Sequence, residues 1–134
     1  MCGIAGIFSF DRTVDLNTIK AMTDIISHRG PDGEGHWINE DQHLAFGHRR
    51  LSIIDLSAHA NQPMHAMNRY SIVFNGEIYN YIELKEKLLE AGYLFHTQSD
   101  TEVLLALYDQ KKEKCLDDLD GMFAFAIWDS LEEE

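Results

Sequence analysis

The first ten residues constrain this chain most. Cys2 to Phe10 is almost continuously apolar, with Gly3, Ala5 and Gly6 set among Ile4, Ile7 and Phe8, a pattern that suits a short strand buried on both faces. The chain is therefore expected to begin inside its own core, and the rest of the fold must cover both sides of its N-terminus. No positively charged leader precedes this strand, and no apolar run approaches the roughly 18 residues that a membrane span needs. Export and membrane insertion are not expected, and a cytoplasmic setting is. With 134 residues there is room for one domain, 1–134, burying about 65–70 per cent of the surface that an unfolded chain exposes.

Periodicity beyond the first strand changes repeatedly. Leu16, Ile19, Met22 and Ile26 recur at helical spacing, Asp15 stands where a cap would, and Gly30-Pro31 supplies a stop. Trp37-Ile38 and His43 to Leu51 flank Asn39-Glu40-Asp41 as a hairpin, with Leu44, Phe46, His48 and Arg50 alternating onto one face. Residues 57–68 read as a loop, and Tyr70 to Asn75 as a strand that stops at Gly76. Helices are expected over 81–91, with Tyr81, Leu84 and Leu88 facing in and Gly92 ending it, and over 101–111, where Ser99 and Glu102 have capping-box spacing. Met122 to Trp128 reads as a final strand. Strands grouped with helices, without regular alternation, predict an α+β fold with largely antiparallel sheets.

Charge and cysteine content exclude several classes of function. Lys and Arg total 11 against 23 Asp and Glu, a formal net charge of -12, so nucleic acid and anionic membranes are not expected partners. Two cysteines, Cys2 and Cys115, form no disulfide framework, and the seven histidines show no metal-ligand spacing. Cys115 reads as a buried apolar residue.

Cys2 carries a specific chemical option. Removing Met1 would leave a nucleophile whose own α-amine is the nearest base. Reference pKa values near 8.5 for a thiol and roughly 7.7–8.0 for an α-amine place the proton transfer within about 1 kcal/mol. The residue can then act as nucleophile and base together. From its position alone, the plainer reading is a small apolar residue in a buried strand, so support must come from elsewhere in the chain.

That support is Arg29-Gly30-Pro31-Asp32, Arg49-Arg50-Leu51-Ser52-Ile53-Ile54-Asp55, Phe74-Asn75-Gly76-Glu77-Ile78-Tyr79-Asn80, Ser99-Asp100-Thr101-Glu102-Val103 and Gly121-Met122-Phe123-Ala124-Phe125-Ala126. With Cys2-Gly3-Ile4-Ala5-Gly6, these blocks resemble, in order and from Cys2 to about Asp129, the class II glutamine amidotransferases. The likeness is greatest to the glutaminase domain of glutamine-hydrolysing asparagine synthetases. It implies an N-terminal nucleophile hydrolase-like αββα sandwich of two largely antiparallel sheets, hydrolysing the side-chain amide of L-glutamine to glutamate and ammonia.

The resemblance also implies roles. Cys2 would be the nucleophile, and the Asn75 side chain and Gly76 backbone N–H the oxyanion hole, where losing one donor typically costs about 10²–10³ in rate. Arg50 would clamp the substrate carboxylate, for which a guanidinium is well shaped. Asp100 would accept the substrate ammonium, with Glu77 a second candidate, and Ile53 would belong to the substrate-binding set. Taken singly, Arg50 and Asp100 read as solvated charges, Asp100 as part of a helix cap, and Asn75-Gly76 as a turn. Their joint order with Cys2 favours the site. Arg29-Gly30-Pro31-Asp32 reads first as a helix stop and turn.

The family continues past the position of Asp129 with further strands and a synthetase domain carrying a Ser-Gly-Gly pyrophosphate loop. Residues 1–134 contain neither, so the domain is expected to be incomplete at its C-terminus, with an unpaired strand edge near Met122 to Trp128. No cofactor is expected on this chain, ATP and Mg belonging to the synthetase domain. The expected partner is a synthetase domain or subunit receiving ammonia, with a homodimer left open. Two other readings compete: a remnant that acts by binding, and an amidotransferase half serving another acceptor such as a sugar acid.

Overall fold

A computed structural model describes residues 2–52 and 61–134. The first sheet contains β1 (Gly3–Phe8), β2 (Gly33–Ile38) and β3 (Leu44–Arg50) in the order β1-β3-β2, both pairings antiparallel. Side chains alternate across its central strand. Ala45 joins Val14 and Ile19 beneath helix α1 (Leu16–Ile25), whereas Leu44 and Phe46 meet Val73 of the second sheet, flanked by Ile4, Trp37 and Trp128. Asp15 caps α1 by accepting from the Thr18 N–H at 3.0 Å, supplying a partner that the helix start lacks.

The second sheet is β4 (Met64–Ala66), β5 (Tyr70–Ile78) and β6 (Gly121–Asp129) in that order, again wholly antiparallel. Its outer face carries Ile72, Phe74 and Ile78 against helices α2 (Tyr81–Glu90) and α3 (Asp100–Lys111). Leu84 and Leu88 supply the buried stripe of α2, while α3 is buried on every side from Val103 to Leu107. Each fully buried Leu or Val contributes about 1.5–3 kcal/mol relative to exposure, so α3 anchors the second sheet. The layers run α1, sheet, sheet, α2 with α3: the expected αββα sandwich. At the far end of β6, both carboxylate oxygens of the buried Asp129 are taken by Arg69, each at 2.6 Å, and one also by Lys112 at 2.8 Å.

Several expectations need correction. β1 is an edge strand rather than one buried on both faces; Phe8 is half-exposed and Phe10 is 89% exposed. Leu16 and Met22 keep helical spacing but lie toward solvent, because the buried stripe of α1 is Ile19 and Thr23. β5 does not stop at Gly76 but runs through it to Ile78, paired with β6 throughout. The segment expected as a loop contains β4 in its described part; 57–60 lie outside the described residues. Ser99 caps α3 by accepting from the Thr101 N–H, but Glu102 does not reach back to Ser99. Its carboxylate instead takes the N–H groups of His96 and Thr97 and the Thr97 hydroxyl. The outer edge of β6 has no partner strand among the described residues, as anticipated.

Candidate active site

Strand register places the thiol. Gly3 stands opposite Arg49, so Cys2 projects past the β1–β3 ladder to the exit of β3. There the Leu51 N–H donates to Cys2 Sγ at 3.3 Å, and the thiol donates to the Leu51 carbonyl at 3.5 Å. When the thiol loses its proton, the Leu51 N–H remains as a donor to the thiolate. Arg29 Nε donates to the Cys2 carbonyl at 3.3 Å.

The turn after α1, read first as a helix stop, frames this corner. The Asp32 N–H donates to the Arg50 carbonyl at 2.9 Å, and Asp32 Oδ2 accepts from the Ser52 N–H at 2.8 Å. A Cβ at Gly30 would lie 2.3 Å from the Arg49 carbonyl carbon and oxygen, so only glycine lets the turn approach that closely.

Alternation separates the two consecutive arginines. Arg49 turns to the α1 side, where Asp24 and Glu34 take its guanidinium. Arg50 shares its face with Leu44, Phe46 and His48, toward the second sheet, and its Nη1 donates to Asn61 Oδ1 at 2.6 Å. A half-buried guanidinium between the sheets, beside the thiol, suits recognition of a carboxylate.

The open edge of β5 supplies a backbone donor. In an antiparallel ladder, alternate residues turn their N–H groups to opposite sides. The Phe74 N–H leaves β6 for Gln62 Oε1 at 2.5 Å, and the Ile78 N–H leaves it for Asp100 Oδ2 at 3.1 Å. Gly76 lies between them with the same phase, so its N–H faces the same open edge, and no side chain among the described residues accepts from it. Asn75 has the phase of Val73, facing the first sheet, and its Oδ1 is buried without a partner among the described residues. A Cβ on Gly76 would come within 2.4 Å of the Met122 carbonyl; close strand approach, not a turn, is why glycine stands there.

Asp100 is no solvated cap residue; it is 5% exposed. Burial pushes its carboxyl pKa up, the N–H groups of Ile78 and Thr101 oppose this, and the exposed Glu77 adds to the rise. A cation arriving at Asp100 would reverse that destabilisation. A raised folded-state pKa means that stability is lost as pH climbs from the unfolded value through the folded one. Asp100→Asn should therefore unfold at a higher temperature than the natural protein at pH 7. The difference should vanish below about pH 4, where both side chains are neutral; thermal melts at the two pH values check this.

Cys2 and Arg50 thus meet at the exit of β3, and Asn75, Gly76 and Asp100 gather along the last turns of the β5 ladder. His48 lies buried on β3 two residues before Arg50. Glu77 is at the rim, and Ile53 and Met1 lie outside the described residues. Among the described residues, no three His, Cys, Asp or Glu side chains converge on a point where a metal could sit. Sequence reasoning does not single out the Leu51 N–H, Asp32, Asn61 or Gln62 as site groups. Asp32 and Leu51 stand in recognisable blocks; nothing local marks Gln62 as the partner of Phe74.

A family model described as the glutamine amidotransferase domain matches residues 1–134. The chain is similar to asparagine synthetase [glutamine-hydrolyzing] 1 of Bacillus subtilis, with 51% identity over 133 residues covering 96% of this chain and 21% of that protein. Asparagine synthetase [glutamine-hydrolyzing] 3 of the same organism is 42% identical over 134 residues, with the same 96% and 21% shares. The chain therefore spans about a fifth of the length of these relatives. Among solved structures, glutamine phosphoribosylpyrophosphate amidotransferase from B. subtilis, complexed with ADP and GMP, shares the fold. Its TM-score is 0.78 at 22% identity, covering 97% of this chain and 35% of that one.

Proposed function

Because this chain belongs to the glutamine amidotransferase domain family, we propose that it hydrolyses the side-chain amide of L-glutamine to glutamate and ammonia, with Cys2 as nucleophile. Removal of Met1 frees the Cys2 α-amine, which takes the thiol proton. The thiolate adds to the amide carbon, and the oxygen that gains charge receives the Gly76 N–H and the Asn75 side-chain N–H. Collapse expels ammonia, protonated by the α-ammonium group, and leaves a γ-glutamyl thioester on Cys2. Water, deprotonated by the same amine, then adds to the thioester and releases glutamate with the thiol restored. Arg50 pairs with the substrate carboxylate and Asp100 with its ammonium; Ile53 contributes to the pocket, and Glu77 adds negative charge at its rim.

The observation that carries this reading is the Gly76 N–H, left open on an edge whose neighbouring donors are taken by Gln62 and Asp100. The names of the two Bacillus relatives support a further step: the ammonia serves a synthetase domain or subunit that forms asparagine from aspartate and ATP. Any ATP and Mg then belong to that portion. No described helix is long and apolar enough to cross a membrane, which is compatible with a cytoplasmic setting.

Substrate selectivity tests the proposal. Losing a hydrogen bond to a charged group costs about 1.5–3 kcal/mol, roughly 10- to 150-fold. N-acetylglutamine and glutaric acid monoamide, which lack the ammonium charge, should fall behind glutamine in kcat/KM by that factor, and Asp100→Asn should raise KM for glutamine similarly. Equal turnover of all three amides, or no turnover of glutamine by protein of verified mass beginning at Cys2, would contradict the assignment.

A further inference from the structure

Two hydrogen-bonded arms flank the Gly76 N–H on the open edge of β5, and both lead to the first turn of α3. On one side the Ile78 N–H donates to Asp100 Oδ2 at 3.1 Å. On the other the Phe74 N–H donates to Gln62 Oε1 at 2.5 Å, and Gln62 Nε2 donates to Thr101 Oγ1 at 3.4 Å. Asp100 and Thr101 are buried where they open α3, and Gln62 is buried between them and the strand.

Strand register explains why a side chain fills this place. β4 pairs Met64 with Ile72, so two residues back along the same register Gln62 stands opposite Phe74. A continued strand would offer a main-chain carbonyl there. The Gln62 carbonyl lies instead against β2, where a Cβ on Gly35 would come within 2.0 Å of it. Its side-chain amide takes over as the last rung of the ladder, and Gly76 carries the next outward N–H. Phe74 and Gly76 donors of the same phase stand about 6.6–6.8 Å apart along the strand, too far to share one oxygen. With its own acceptor, the Phe74 N–H does not compete with that of Gly76 for a developing charge.

We infer that Gln62 is a positioning residue: with Thr101 it forms the second arm of a bracket that ties β5 to α3 on both sides of Gly76. The bracket fixes the Gly76 N–H, where the oxyanion forms, relative to Asp100. The inference rests on the glutaminase reading and concerns only how its donor is held. Misplacing such a donor by about 1 Å typically costs about 10²-fold in rate.

Hydrogen exchange and kinetics on the full chain test it. In the natural protein the amide hydrogens of Phe74 and Ile78 should exchange at least about tenfold more slowly than that of Gly76 between them. Gln62→Met, similar in length but without the amide, should lose the protection at Phe74 and lower kcat for glutamate release about 10- to 100-fold. KM for glutamine and Cys2 alkylation by iodoacetamide should both stay within about twofold of the natural values. Alkylation makes no oxyanion, so it reads the thiol without the hole. If Gln62→Met fails to fold, a second pair decides: Thr101→Val, which removes the acceptor of Gln62 Nε2, should lower kcat about 3- to 10-fold, and Thr101→Ser, which keeps the hydroxyl, should restore it. The inference is overturned by a Phe74 amide that exchanges as fast as that of Gly76, or by natural kcat in folded Gln62→Met or in Thr101→Val. Loss of kcat and alkylation together, a rise in KM at constant kcat, or a Ser variant no faster than Val overturns it equally. Failure of the glutaminase reading looks different: Cys2→Ala would then release glutamate as fast as the natural chain, with Phe74 protected as before.

Discussion

Cys2→Ala is expected to abolish glutamate release, lowering kcat on the order of 10⁶-fold, as loss of a nucleophile does when no other group can take its place. The other thiol cannot substitute. Cys115 is buried in the cluster beneath α2 and α3, and burial pushes its thiol pKa up, away from the reactive thiolate. The fold should tolerate the change. Cys2 lies beyond the β1–β3 ladder, and among the described residues its sulfur makes long hydrogen bonds with the Leu51 main chain alone, at 3.3 and 3.5 Å. Melting temperature should therefore stay within a few degrees of the natural value. A variant inactive for want of folding would reveal itself in the same melt.

Asn75→Ala should lower kcat by about 10²–10³, the usual cost of one oxyanion donor, while KM for glutamine changes far less. The asymmetry follows from where charge develops: the amide oxygen of bound glutamine is neutral, and only the tetrahedral adduct carries the full charge that the Asn75 amide would meet. Stability should not fall with activity. Asn75 Oδ1 is already buried without a partner among the described residues, so truncation strands no acceptor and removes an existing penalty. Steady-state kinetics with a thermal melt separate the outcomes; a rise in KM at constant kcat would assign Asn75 to substrate binding instead.

Much of this arrangement is legible in the sequence where local chemistry and tertiary need agree. The alternation Leu44, Phe46, His48, Arg50 gives the correct face of β3 because a half-buried strand must alternate. Leu84 and Leu88 give the buried stripe of α2 for the equivalent helical reason. The errors arise where a residue serves a distant neighbour. Gly76 reads as a strand end, yet it is mid-strand because Met122 and Phe123 of β6 pass too close for a Cβ. Asp100 reads as a cap residue, yet its carboxylate reaches 22 residues back to Ile78. Glu102 has capping-box spacing, but the N–H groups of His96 and Thr97 compete for it and win. α3 shows no apolar stripe because it is buried all round. Those facts belong to packing, which no local window contains.

The same division holds for the chemistry. Cys2, Arg50, Asn75, Gly76 and Asp100 can be proposed from sequence blocks in order. What holds them cannot: the Asp32 turn locked to Arg50 and Ser52, Gln62 capping Phe74, and the Leu51 N–H on the thiol arise from strand register and close approach.

The most direct test is glutamate release at neutral pH from chain whose intact mass shows Cys2 as the first residue, run beside Cys2→Ala and beside chain retaining Met1. The account predicts release from the first alone, since the alanine variant offers no nucleophile and a retained Met1 turns the proposed base into an amide. Release that persists without the Cys2 thiol, or none from correctly processed chain, would contradict it.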